Sequence, residues 1–251
     1  GLTRFQLFTI QPKVTFLTHT FGTVGTIVTI TGDGYGVSEL IQVDFGNNKT
    51  ITVCSSNANG TFSTTFTIDT QRFGTTSIVA TGLSMQGSSS IDFKIIQRIV
   101  RITPTSGNVG TIVSVFGDGY GATENIQIHF GITPNITSIQ TKHAGSFSVT
   151  FTVNVQSVGI TTIVAQGVTG TSNFSYATFT IKNKITITPS SGIVGNSVTV
   201  QGDGFKSSVA VYIYFGTTKT ITTVSSDDNG SWTTTFTVDT QFYGTKTIMV
   251  Y

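Results

Sequence analysis

Three aspartates, Asp33, Asp118 and Asp203, share one setting: a glycine on either side, then an aromatic residue, in "GDGY", "GDGY" and "GDGF". A carboxylate on a glycine turn is the kind of group that binds calcium. Calcium takes about six to eight oxygens, commonly from several carboxylates, whereas the chain carries 11 acidic residues in 251. Asp69 and Asp239 recur beside a second turn, but the middle copy has Asn154 there. The expected role is therefore a tight turn, with glycines at positive φ and an aspartate bonded to its own backbone. Tyr35, Tyr120 and Phe205 could stack on sugar rings; a plug at the end of an apolar core suits an aromatic after a glycine turn better. His19, His129 and His143 fall at unrelated positions, without metal-ligand spacing or a partnered nucleophile. Cys54 is the single cysteine, so no internal disulfide forms, and it reads as a small core hydrophobe. The expectation is no catalytic residue, no metal and no cofactor, hence not an enzyme.

One modification chemistry is spelled out. Asn48, Asn59, Asn135, Asn173 and Asn229 each open an Asn-X-Ser/Thr acceptor triplet for N-glycosylation. Asn59 and Asn229 share a repeat position in a hairpin turn, where a glycan would be exposed. Charged residues make up 10% of the chain and the net charge is +2, so no basic field exists to attract nucleic acid or anionic lipid. A hydrophobic content of 37% with mean hydropathy +0.20 argues against disorder. No apolar run reaches the length of a membrane span, and "GLTRFQLFTI" lacks the pattern of a secretory signal. The expected setting is extracellular, at the cell surface.

These residues sit in a repeat. The three Gly-Asp-Gly turns are 85 residues apart, and the same offset relates Gly22, Gly107 and Gly192. It also relates Phe45, Phe130 and Phe215, and further on Phe62, Phe147 and Trp232. Within a repeat the hydrophobic period is two, the period of a half-buried strand. Val28 and Ile30 alternate with Thr29; Ile41, Val43 and Phe45 alternate with Gln42 and Asp44; Phe62, Phe66 and Ile68 alternate with Ser63, Thr65 and Thr67. Turn signals divide each repeat into roughly seven strands, the number of an immunoglobulin-like sandwich. The expected fold is all-β: three tandem immunoglobulin-like β-sandwich repeats of 85 residues, the last lacking its final strand.

The stretches "ITPTSGNVGTIVSVFGDGY" (102–120) and "ITPSSGIVGNSVTVQGDGF" (187–205) resemble the opening of IPT/TIG-type immunoglobulin-like repeats of prokaryotic cell-surface proteins. The first repeat departs from that pattern, with His19 and Phe21 where the others have Pro and Ser. The resemblance implies a fold and a surface setting; it carries no site residue.

The expected boundaries are an N-terminal strand at 1–12, then repeats at 13–97, 98–182 and 183–251. The third repeat reaches "TKTIMVY" without the strand that follows in the other two, while "FTI" at 8–10 resembles "FKI" at 93–95 and "FTI" at 179–181. Two readings follow. In one, the chain is a window of a longer array: an adhesin stalk or carbohydrate-binding array whose partners are glycans of a host or cell surface. In the other, favoured here, copies of the chain are each other's partner in a homopolymer. The donor strand carries Phe5, Leu7, Phe8 and Ile10, and the acceptor groove is lined by Trp232, Phe236, Ile248 and Val250. That is donor-strand complementation, a form of strand addition.

Overall fold

Alternating Thr and β-branched apolar residues build strands, and the computed structural model, which describes residues 4–168 and 174–251, contains no helix among them. The first unit comprises β1 (Lys13–Leu17), β2 (Phe21–Gly22), β3 (Ile27–Asp33), β4 (Leu40–Phe45), β5 (Asn48–Ser55), β6 (Phe62–Thr67), β7 (Gly74–Gly82) and β8 (Ser88–Ile95). A three-stranded sheet in the order β1-β3-β6 faces a five-stranded sheet in the order β2-β8-β7-β4-β5. The second unit repeats this arrangement with β9 (Arg98–Thr103), β10 (Ser106–Gly107), β11 (Ile112–Asp118), β12 (Asn125–Phe130), β13 (Thr133–Gln140), β14 (Phe147–Thr152), β15 (Gly159–Gly167) and β16 (Phe174–Ile181). The third has β17 (Lys184–Thr188), β18 (Ser197–Asp203), β19 (Ala210–Phe215), β20 (Thr218–Ser225), β21 (Trp232–Thr237) and β22 (Ile248–Val250). Its sheets have only three strands each, β17-β18-β21 and β20-β19-β22.

Each pair of sheets encloses its own apolar cluster, drawn from the inward positions of both layers. The expected alternation is realised: in β3, Val28 and Ile30 are sealed while Ile27 is open to solvent. At the end of each core an aromatic pair meets edge to face. Tyr35 lies 5.2 Å from Phe62, Tyr120 5.3 Å from Phe147 and Phe205 5.3 Å from Trp232, ring centre to ring centre. The aromatics after the glycine turns are thus core plugs, as the sequence suggested. Tyr35 and Tyr120 are buried, and loss of water around the phenol raises each pKa to about 12.

A polar clamp recurs beside the apolar one. The side-chain amide of Gln71 donates to the Phe45 carbonyl at 2.8 Å, as Gln156 does to Phe130 at 3.0 Å and Gln241 to Phe215 at 2.9 Å. Each glutamine therefore ties the turn before the seventh strand to the end of the fourth, satisfying a carbonyl that the hairpin leaves over.

The two junctions between units are alike. The Phe73 amide donates to the Tyr120 carbonyl at 2.9 Å, and 85 residues on the Val158 amide donates to the Phe205 carbonyl at 3.1 Å. The middle glycine turn supplies the second half of the junction. Gly119 has φ +73°, and a Cβ there would lie 2.7 Å from the Ile96 carbonyl oxygen; at Gly204, with φ +69°, it would lie 2.8 Å from that of Lys182. The second Gly of Gly-Asp-Gly is required because the end of the preceding unit runs against it. The aspartates between these glycines differ in partner: Asp118 takes a two-pronged ion pair from Arg98 at 3.0 and 3.3 Å, and Asp203 accepts from the Ser231 hydroxyl at 2.7 Å.

Candidate functional site

In units one and two the last strand is held from both sides. β8 runs antiparallel to β7 and parallel to the short β2; β16 runs antiparallel to β15 and parallel to β10. Unit three has no counterpart of β8 among the described residues, and the effect spreads to every group that would have touched it. Residues Gly74–Ser77 of β7 pair only with β8, and their equivalents 244–247 carry no strand. β22 consequently begins only at Ile248, whereas β7 and β15 begin at Gly74 and Gly159, the equivalents of Gly244. The two residues of β2 also pair only with β8, and Ser191 and Gly192 carry no strand either.

The groove between β22 and residues 191–194 opens over a specific ring. Phe45 and Phe130 are wholly buried, and each receives an edge-to-face contact from the last strand, Phe93 at 5.9 Å and Phe179 at 5.8 Å. Phe215 keeps its packing against Phe236 at 5.0 Å but is only half-buried, because the third ring of the set is missing. Of the expected groove residues, Phe236 packs against this ring, Ile248 and Val250 are partly buried in the same cluster, and Trp232 packs against Phe205 at the plugged end of the core. Phe236 and Trp232 are both as buried as their equivalents in units one and two. Phe215 was missed in the sequence because the residue is Phe in all three copies and only its surroundings differ.

Two polar anchors of the last hairpin are also changed. Glu39 is buried and its carboxylate accepts from three amides, Gly36 at 2.7 Å, Ser84 at 2.8 Å and Met85 at 2.5 Å. The Met85 amide is the main reason its pKa lies below the usual glutamate value, and the Gly36 and Ser84 amides add to it against the opposing effect of burial. Glu39 thus pins the β7–β8 loop to the body of unit one. Glu124 holds the same position in unit two and accepts from Gly121 at 2.7 Å. Unit three has Val209 there. Likewise Tyr35 donates to the Ala80 carbonyl at 3.2 Å and Tyr120 to that of Ala165 at 3.3 Å, whereas Phe205 has no hydroxyl.

The segment 4–12 is described without secondary structure, and Phe5, Leu7, Phe8 and Ile10 are all at least 71% exposed. Its end is nevertheless seated. A Cβ on Gly34 would lie 2.7 Å from the Gln11 carbonyl oxygen and 3.1 Å from the Ile10 side chain, matching Gly204 against Lys182 and Ile181. Ile10 and Gln11 therefore occupy, on unit one, the place that the end of a last strand occupies on the unit after it. In that register Phe8 and Ile10 correspond to the buried Phe93 and Ile95, while Phe5 and Leu7 correspond to the outward Ser90 and Asp92. Of the four expected donor-strand residues, two thus align with core-facing positions and two with outward ones.

The remaining sequence candidates are dispersed. Asn59, Asn135 and Asn229 are exposed; the Asn48 side chain is tied to Asp69 at 3.0 Å; Asn173 lies outside the described residues. His19 is exposed beside Thr18, His129 bonds Gln166 at 2.9 Å, and His143 lines a cleft at the first junction with Arg72 and Asp69. Among the described residues no cluster of three or more His, Cys, Asp or Glu stands ready for a metal, and no helix is long and apolar enough to cross a membrane.

No protein-family model and no curated protein matches the chain. Similar solved structures include a tetra-tandem repeat in the extending region of a large adhesion protein, at 14% identity and TM-score 0.34, covering 92% of this chain and 66% of that one. The eight N-terminal Ig domains of Down Syndrome Cell Adhesion Molecule align at 12% identity and TM-score 0.29, covering 92% and 42%. The BSP domain of a biofilm associated protein aligns at 12% identity and TM-score 0.24, covering 97% and 63%. The chain spans less than two thirds of the length of each, and at such scores the overlap bears on no residue and no activity.

Proposed function

We propose that the chain is a structural subunit of an extracellular, cell-surface filament or surface layer, in which copies join head to tail by donor-strand complementation. In this reading it has no catalytic role and needs no cofactor or metal. Residues around Phe8 and Ile10 of one copy form the last strand of unit three in another, antiparallel to β22 and parallel to residues 191–192. The observation that carries the reading is the half-open Phe215, whose missing partner in units one and two is a Phe that aligns with Phe8. Burying Phe8 and Ile10 contributes about 3–6 kcal/mol, from which association and ordering costs are subtracted. Val209 and Phe205 support it independently: the two side chains that fasten the β7–β8 hairpin in unit one are absent where the strand would arrive from elsewhere without a hairpin. Because donor and acceptor are different surfaces, the contact is heterologous and propagates as a fibre. The IPT/TIG-like motifs, the hydroxyl-rich outward faces and the exposed Asn59 and Asn229 suit such a setting, and glycan on at least one of these two is expected in peptide masses of the native material.

The test is deletion of residues 1–11 in the full chain. The truncated protein is expected to stay monomeric by light scattering and electron microscopy, while the complete chain forms long polymers. A peptide of residues 4–12 is expected to protect the β22 amides of the truncated protein from hydrogen exchange. Polymers from the truncated chain, or polymers unaffected by Phe8→Asp, would overturn the reading.

A further inference from the structure

We infer that the contact between copies is a third instance of the junction that already occurs twice inside the chain, so that unit three of one copy is followed by unit one of the next as if no chain break existed. This rests on the donor-strand reading and goes beyond it, because a donor strand alone could tether two copies loosely.

The junction has a donor half and an acceptor half, and each is duplicated at a free end. On the donor side, Phe73 and Val158 give their amides to the next unit. The third member of that series, at the same 85-residue spacing, is Tyr243, which with its neighbour Phe242 is almost wholly exposed. On the acceptor side, the Tyr120 and Phe205 carbonyls take those amides, and the first member of their series is Tyr35, to whose carbonyl no described residue donates. The glycine next to Tyr35 already has the end of segment 4–12 seated on it in the geometry of an internal junction. Once that segment lies in the groove of a second copy, the same seating carries unit one onto the end of unit three and brings the Tyr35 carbonyl to the Tyr243 amide.

The junction also brings side chains together, which makes the inference measurable. Arg72 and His143 line one cleft at the junction of units one and two. Moved along the repeat to the junction between copies, the pair becomes Phe242 of one copy and Ala58 of the next, both exposed in the single chain. With Cys54→Val as background, a short bismaleimide is chosen that closes Arg72→Cys with His143→Cys inside one chain. The same reagent is then applied to assembled polymers of Phe242→Cys with Ala58→Cys. The expected result is a ladder of dimers, trimers and larger species on a denaturing gel. Unassembled Phe8→Asp chains carrying the same cysteines should give none. Polymers that yield only monomers overturn the inference and leave donor-strand assembly standing; failure of the parent chain to polymerise overturns both. The second readout is the axial spacing of the parent fibre in electron micrographs. Uniform junctions give one unit-to-unit spacing, whereas a longer step at every third unit would refute them.

Discussion

Phe45 and Phe215 are the same residue at the same place in two sandwiches, packed on the same neighbour, Phe66 in one and Phe236 in the other. Phe45 is sealed and Phe215 is not, and the difference reaches well beyond one ring. With no strand alongside, residues 244–247 lose their only strand partner and residues 191–192 lose theirs. Strand structure here is a property of pairs, so removing one member unmakes its neighbours on both sides. The comparison also separates two kinds of change in unit three. The open ring and the frayed edges follow from the missing strand, whereas Val209 and Phe205 are written in the sequence and follow from nothing in the packing.

The comparison can be broken in order of size, with hydrogen exchange read separately in each unit because whole-chain melting mixes three cores. Phe45→Ala removes a fully buried ring and is expected to cost unit one about 3–5 kcal/mol. Phe215→Ala in the isolated chain is expected to cost unit three roughly half as much, and equal costs would mean that the groove is closed in solution. Adding the peptide of residues 4–12 should widen the Phe215→Ala effect toward that of Phe45→Ala.

Next is the hairpin anchor. Glu39→Val leaves three amides without their acceptor and is expected to destabilise the β7–β8 loop by about 1–3 kcal/mol, whereas Val209→Glu should not stabilise unit three in the isolated chain. The Glu39 contribution carries a pH signature. Its folded pKa is lowered, so the stabilisation is complete above the unfolded glutamate value of 4.5 and is lost as pH falls through the lower folded value. Protection of the Ser84 and Met85 amides should therefore fall as the pH drops below 4.5 in the parent chain, and a flat profile would show that the carboxylate does not hold the loop. The smallest effect is expected at the plug: Tyr35→Phe should cost about 0.5–1.5 kcal/mol through its lost bond to Ala80, and Phe205→Tyr should be close to neutral in the absence of a donor strand.

Much of this was legible in the sequence, and the limits are instructive. The 85-residue spacing of Gly-Asp-Gly, the two-residue alternation of Val28, Thr29 and Ile30, and the likeness of 8–10 to 93–95 are all local signals, and they located the strands and the strand-like segment ahead of the first repeat. The groove was only half legible. Trp232 looks like a lining residue because it is large and lies in unit three, yet which end of a sandwich a ring seals depends on the facing layer, and that is settled only by pairing register. Phe5 and Leu7 are as hydrophobic as Phe8 and Ile10, although they align with the outward Ser90 and Asp92 where Phe8 and Ile10 align with the buried Phe93 and Ile95. Glu39, Glu124 and Val209 stand in one column of the repeat, but nothing local shows that a carboxylate there reaches across to a loop 45 residues on. The glutamine clamp at Gln71, Gln156 and Gln241 was available to inspection, since it recurs in all three copies at one spacing.

The parallel pairing of Phe21 with Lys94 and Gly22 with Ile95 decides how a unit answers tension. A pull along the chain draws β2 toward the preceding unit and β8 toward the following one. Because the two strands point the same way, those pulls slide them lengthwise past each other. The hydrogen bonds between them then share the strain and must fail together, where a hairpin peeled from its open end gives up one bond at a time. A donor strand lying beside residues 191–192 would be pulled in that same lengthwise sense. The seam between two molecules would then resist stretching by the same geometry as the covalently continuous units on either side of it.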